Sequence, residues 1–233
     1  MKNNAFFVTG TDTDVGKTFV SLALLEALKQ KGLSTLALKP VAAGCEQMEG
    51  QWCNDDALQL QQAMTQQLPY QQVNPVALKQ AVAPHLAAQA EGKRLTVDHI
   101  CGRVKGAMMQ PADVCLIEGA GGWLVPLNDR ESFADMVVEL QLPVLLVVAV
   151  KLGCLNHALL TAEAIQARGL PFLGWVANCM DPSAALVKEN IATLEQRLPG
   201  PCLGVLKRAD NGDWRPLGAN FNTDLLLERL GLE

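Results

Sequence analysis

The sequence predicts an α/β fold: a single doubly wound, mostly parallel sheet with helices on both faces, of the phosphate-loop nucleotide hydrolase-like kind. Three observations predict it. Short β-rich runs alternate with segments of helical pattern, so the chain reads βαβα from end to end. The runs are almost continuously apolar, as strands covered on both faces of a parallel sheet are, with no in-out alternation. The first run ends at Gly10 and passes through a glycine-containing loop into a helix opening on Lys17 and Thr18, the setting a phosphate loop requires.

The elements follow in order. The first strand is AFFVTG (5–10), and the helix over 17–31 follows its loop. STLALKP (34–40) is the second strand, and helices over 55–66, 84–91 and 96–109 separate it from the third, DVCLIEG (113–119). A helix over 132–140 precedes PVLLVVAV (143–150), a helix over 156–168 precedes LGWVANC (173–179), and a helix over 184–198 precedes PCLGVL (201–206). A last helix covers 222–230. No repeat, low-complexity tract or composition break marks a linker. At 233 residues and 49% hydrophobic content the chain can bury a large core, so 1–233 is expected to form one domain.

Composition narrows the function classes. The net charge of −5 carries no run of Lys or Arg, which argues against nucleic acid or an anionic membrane as partner and leaves small polyanions open. Seven cysteines form no C-x-x-C pair and read as reduced thiols in a cytoplasmic protein. MKNNAFFVTG reaches its glycine before a signal-peptide apolar region could form. The longest apolar run, 142–150, is too short to span a bilayer.

In doubly wound sheets ligands lie beyond the carboxyl ends of the strands. Here those positions hold Lys39-Pro40, Glu118-Gly-Ala-Gly-Gly, Lys151-Leu-Gly and Asn178, a polarity that packing alone does not require. The opening loop, GTDTDVGKT, has five residues between its glycines where the usual pattern has four. Gly10, Thr13, Asp14, Val15, Gly16, Lys17 and Thr18 are its candidate nucleotide-binding residues. Backbone N–H groups and the helix start would cradle phosphates, Lys17 would reach the outer phosphates, and Thr18 would ligate Mg²⁺. Glu118, a carboxylate closing an apolar strand, is a candidate metal acid. Asp55 and Asp56 read either as helix N-caps or as further metal ligands.

The motifs VTGTDTDVGKT, KPVAAG, NDDAL, VNP, EGAGGW, KLGCLNHALLTAEAI and GWVAN together resemble the dethiobiotin synthetase family, from about Phe6 to Gly204. That family's loop also has five residues between its glycines. The resemblance implies an ATP- and Mg²⁺-dependent cyclo-ligase joining 7,8-diaminononanoate to CO₂ through a carbamate and a carbamate–phosphate anhydride, giving dethiobiotin, ADP and phosphate. It implies Mg²⁺ ligands at Thr18, Asp56 and Glu118, with Lys17 and Lys39 acting on carbamate and γ-phosphate. Thr11 would contact the diamine beside Lys39 and Ala43, and Asn178 would meet the purine edge. Gly153, Cys154, Leu155 and Asn156 would hold the substrate's distant carboxylate, across a homodimer. His157 reads as a packing or capping residue.

Four positions depart from the family pattern. Ala43 stands where a serine is common, and Asp14 where a glutamate is. The segment VLKRADNGD (205–213) lacks an expected proline along the base, and Asn190 replaces an aromatic that would reach the neighbouring subunit. They leave a paralogue with an altered substrate as an alternative. A nucleotide-switched partition-type ATPase is another, but it would carry a lysine at Thr11 and a basic membrane-targeting terminus, which NTDLLLERLGLE is not. An amidotransferase-type synthetase would need a further glutaminase domain.

Overall fold

The computed structural model describes residues 4–180, 184–207 and 213–232. β1 (Ala5–Gly10) leads through the glycine-containing loop into α1 (Lys17–Gln30), and β2 (Thr35–Leu38) ends one residue before Lys39. An excursion follows, made of β3 (Val41–Ala42), β4 (Glu46–Met48), β5 (Gln51–Cys53), α2 (Asp55–Ala63), α3 (Tyr70–Val73) and β6 (Val76–Ala77). α4 (Pro84–Ala90) and α5 (Val97–Ala107) return the chain to β7 (Val114–Gly122). Strand and helix then alternate as α6 (Phe133–Leu140), β8 (Val144–Ala149), α7 (Cys154–Ala167), β9 (Phe172–Cys179), α8 (Val187–Arg197) and β10 (Cys202–Lys207). A 3-10 turn at Arg215–Asn220 precedes α9 (Thr223–Leu230).

The central sheet has the order β10-β9-β8-β1-β7-β2 and every pair in it is parallel. β2 lies at one edge, β7 returns between it and β1, and β8 continues on β1's other side. The order therefore reverses at β1, and the crevice above its carboxyl end is where such a sheet binds ligand. All six residues of β1 are buried, as are the first five of β8 and the first seven of β9. The apolar runs are continuous because both faces are covered.

The long elements fall close to their predicted bounds, with differences that have local causes. β7 continues three residues past Gly119, because Gly122 pairs with Gly10 beyond a register shift and keeps the strand beside the loop. Gly119 itself must lack a side chain: a Cβ there would lie 2.7 Å from Phe7 Cζ. α7 starts at Cys154, two residues earlier than its pattern suggested, because left-handed Gly153 serves as its N-cap. Of the elements between Val41 and Ala77 the sequence predicts only α2; the four strands and α3, of two to four residues each, are too short to carry a period. The hairpin of β4 and β5 turns on Glu49 and Gly50, both at positive φ, as a tight two-residue connection demands.

All seven cysteines are free thiols, as expected. No helix among the described residues is long and apolar enough to cross a membrane. Trp175, fully buried in β9 between β8 and β10, is the largest of the completely enclosed side chains. Its indole N–H has no partner. Trp175→Ala is expected to destabilise the fold by about 3–5 kcal/mol, and Trp175→Phe by less, since it removes that unpaired donor along with part of the volume. Chemical denaturation at constant slope checks both.

Candidate functional site

α1 and α7 begin differently from the other helices of eight or more residues among those described. Each starts at a left-handed glycine, Gly16 or Gly153, with no side-chain cap and no acid in its first turn. Asn54, Thr96 and Asn222 cap α2, α5 and α9 with side-chain oxygens, and Asp135 accepts from the Ser132 N–H and hydroxyl at the start of α6. Uncapped N–H groups at the positive end of a helix dipole favour an anion.

Gly16 is fixed by its neighbour as well as by its φ of 84°. A Cβ there would fall 2.0 Å from Asn178 Nδ2. Asn178, at the end of β9 and buried, donates to Val15 O at 2.8 Å, while its Oδ1 has no partner. A buried acceptor of this kind calls for a donor from outside the protein. Asp14 also lies at positive φ, 56°, a conformation that aspartate tolerates better than most residues.

Beneath the loop, three neighbouring strands bring together the charged groups picked out at their ends. Glu118 of β7 is fully buried opposite Val8 of β1. Its Oε1 accepts from Thr18 Oγ1 at 2.7 Å and from Lys39 Nζ at 2.8 Å, and its Oε2 accepts from Ser21 Oγ at 2.7 Å. Lys39 Nζ also donates to Asp56 Oδ2 at 2.5 Å. Lys17 Nζ reaches only a carbonyl, Asp12 O, at 3.3 Å.

Burial opposes charge on both lysines, with different results. For Lys39 the carboxylates of Glu118 and Asp56 outweigh burial and hold the ammonium above the ordinary lysine value. For Lys17 burial outweighs the attraction of Glu118, and the value is lowered. Lys17 is thus the cation with least compensation, suited to meet a polyanion. Two carboxylates and a hydroxyl meeting around an ammonium form a hard-oxygen donor set in a place that already favours positive charge. That set fits Mg²⁺, which takes few protein ligands and completes its shell with water and phosphate oxygens.

Both lysines, Thr18 and Asp56 open into a cavity of about 850 Å³, whereas Glu118, Ser21 and Asn178 are buried and do not line it. Thr13, Asp14, Gly16, Lys17, Thr18, Lys39, Ala43 and Asp56 all line it. Gly10, Thr11 and Val15 do not; Val15 is buried beneath the loop, and Thr11 is half-buried with its N–H on Val147 O. Gly153, Leu155 and Asn156 lie outside the cavity too, at the exposed or half-exposed start of α7, where only Cys154 is buried. His157 is exposed, so it is not a packing residue. Asn190 is half-buried on α8. Of the segment 205–213, residues 208–212 lie outside the described residues.

Neither aspartate caps α2. Asn54 does, with Ala57 N–H on its Oδ1 at 3.2 Å, so Asp56 in the first turn is free to pair with Lys39. Sequence reasoning also missed Ser21 and the wall formed by Ala81–Pro84. Ser21 sits three residues after Thr18 on the same helical face, a spacing that could have flagged it. The wall residues carry no polar group to flag them.

Comparison with known proteins agrees with this geometry. Residues 4–214 match the model of the AAA domain family. The ATP-dependent dethiobiotin synthetase BioD of Cellvibrio japonicus is 51% identical over 98% of this chain and 100% of its own length. Its counterpart in Marinobacter nauticus is 53% identical over 91% of this chain and 92% of its own. The chain belongs to the ATP-dependent dethiobiotin synthetase family. Among solved structures, the signal recognition particle receptor FtsY of Elizabethkingia anophelis in complex with GDP aligns with a TM-score of 0.55 at 16% identity. That match covers 99% of this chain but spans only 64% of the receptor chain, and is a likeness of fold alone.

The synthetase-family loop depends on the absence of a side chain at Gly16. Gly16→Ala is expected to displace Asn178 and weaken binding of a fluorescent ATP analogue by about tenfold or more, at a left-handed position where alanine is also strained. Ser21→Ala, which leaves a fully buried carboxylate oxygen without its donor, is expected to lower stability by about 1–3 kcal/mol. Analogue titration and denaturation read the two effects.

Proposed function

We propose that the chain carries out the reaction its relatives are named for, making dethiobiotin from 7,8-diaminononanoate, CO₂ and ATP, with residues 1–233 acting as one ATP-binding unit in the cytoplasm. The observation that carries the reading is the convergence of Lys17, Lys39, Thr18 and Asp56 on one cavity beneath an uncapped helix start, with Glu118 buried behind them and accepting from Thr18 and Lys39. Phosphoryl transfer to a carbamate needs placement and charge neutralisation more than covalent help from the protein.

In this reading one amine of the diamine adds to CO₂, forming an N–C bond and losing a proton. A carbamate oxygen then attacks the γ-phosphorus as the bond to the departing ADP oxygen breaks. The second amine attacks the carbamoyl carbon, loses a proton and expels phosphate, closing the cyclic urea. Lys17 and the loop N–H groups hold the phosphates, and Lys39 supplies a point charge where carbamate and moving phosphoryl meet. Thr18, Asp56 and Glu118 would hold Mg²⁺, which neutralises phosphate charge when bound. Asn178 Oδ1 would accept from a purine amine. Thr11, although it does not line the cavity, stays the candidate contact to the diamine. Ala42, Ala43 and Val82 give the cavity an apolar wall suited to a methylene chain. Ala43 adds no hydroxyl there, so any polar contact to the diamine comes from other groups.

A homodimer completes the proposal. Gly153, Cys154, Leu155 and Asn156 form an open helix start that could receive a carboxylate, yet the start does not line its own chain's cavity. Beside it Leu152 is fully exposed and Leu160 more than half exposed, an apolar surface that a second copy would cover.

Two results test the reading. ADP release should require bicarbonate and diamine together, and Lys39→Ala should cut that coupled rate about 10²-fold while ATP-analogue affinity stays near the parent value; an unchanged rate without either component would return the chain to the partition-type alternative. In sedimentation the protein should run at twice its 25.0 kDa chain mass. Leu160→Asp should shift it toward monomer and raise KM for the diamine. A fully active monomer rules out the shared pocket.

A further inference from the structure

Lys39 and Asp56 face each other from separate elements, the end of β2 and the first turn of α2, and a chain of hydrogen bonds runs from the Lys39 carbonyl to Asn54, the cap of α2. Asn74 Nδ2 donates to Lys39 O at 2.6 Å and to Val76 O at 3.3 Å. Asn74 Oδ1 accepts from the Tyr70 hydroxyl at 2.9 Å, and the Tyr70 oxygen accepts from the backbone N–H of Asn54 at 2.8 Å. Asn54 then caps α2 through Oδ1 and donates from Nδ2 to Ala43 O at 3.4 Å. Lys39 N–H is itself held by Val73 O at 2.9 Å. Both Asn74 and Tyr70 are buried.

We infer that Tyr70 and Asn74 are positioning residues for the reaction, a relay that sets the separation of Lys39 from Asp56. The inference rests on the proposed roles of those two residues. The relay joins the VNP, NDDAL and KPVAAG motifs, and no step of the reaction uses the asparagines of the first two, Asn74 and Asn54. Its donors are used: both Asn74 amide N–H groups are bonded and its oxygen accepts once, and the Tyr70 hydroxyl both donates and accepts. Tyr70 and Asn74 thus satisfy each other's polar groups and those of Asn54 and Lys39, buried polarity that an all-apolar wall would not carry. What the hydroxyl adds is direction. It fixes the start of α2 relative to the end of β2, and so the placement of a carboxylate against the ammonium, in a reaction where a displacement of about 1 Å can cost about 10²-fold.

Tyr70→Phe removes the hydroxyl and keeps the ring, leaving Asn54 N–H and Asn74 Oδ1 unpaired. The expected result is a fall of about tenfold in kcat for diamine-dependent ADP formation, with ATP-analogue affinity unchanged within about twofold, because the phosphate loop is held by other contacts. Asn74→Ala should give a similar fall, and the double variant little more, since both break one relay. A kcat equal to the parent's in Tyr70→Phe overturns the inference, as does a loss that follows only the fraction of protein unfolded. A crystal structure of Tyr70→Phe reads the relay with no substrate present. The Lys39–Asp56 pair should open beyond hydrogen-bond distance, and a pair that stays closed overturns the inference. If the parent protein makes no dethiobiotin, the proposed reaction fails while the crystal result still decides the relay.

Discussion

A buried ammonium shared by two carboxylates is the interaction on which the site depends. Glu118 is fully buried in the interior of a parallel sheet, and an isolated carboxylate there would be costly. It is tolerated because Lys39, Thr18 and Ser21 supply donors to both of its oxygens. Lys39 in turn is held charged by Glu118 and Asp56 against its own burial. Each group is tenable only while the others are in place, so the end of β2, the middle of β7, the start of α1 and the start of α2 are locked to one another through charge.

That mutual dependence separates two functions within a few ångströms. On the Lys39 side the ammonium already has two carboxylate partners inside the protein. On the Lys17 side less is supplied: the helix start is uncapped, its glycine lines the cavity, and among the described residues the lysine's hydrogen bond is to a carbonyl, Asp12 O. A polyanion arriving there supplies what the fold leaves out, which is the preorganisation that charge-stabilising catalysis requires. Asn178, with one amide group spent on the loop and the other left unpaired, repeats the pattern at the far end of the loop.

The short excursion between Val41 and Ala77 supports this arrangement. Its elements are short, yet it provides Asp56, the cap of α2 and the Tyr70–Asn74 relay, and it holds Lys39 on both sides, the N–H through Val73 O and the carbonyl through the Asn74 side chain.

The sequence by itself determined the order of strands and helices, the phosphate loop and the polar residues at the strand ends. Those follow from periodicity, from continuous apolar runs and from a glycine–lysine–threonine pattern, all of which are written in neighbouring residues. It also placed Lys39 and Glu118 at the ends of their runs, because a charged residue closing an apolar strand is conspicuous. Only the tertiary structure decided that these two meet, because β7 enters the sheet between β1 and β2 and so brings Glu118 within reach of Thr18 and Ser21 on one side and Lys39 on the other. It decided that Asn54, not Asp55 or Asp56, caps α2, a choice between adjacent residues that composition cannot make. It also brought Tyr70 and Asn74 against Lys39, and set the start of α7 outside the cavity of its own chain. Each of these is a relation between residues far apart in the chain, fixed by sheet order and by which buried polar groups must find partners.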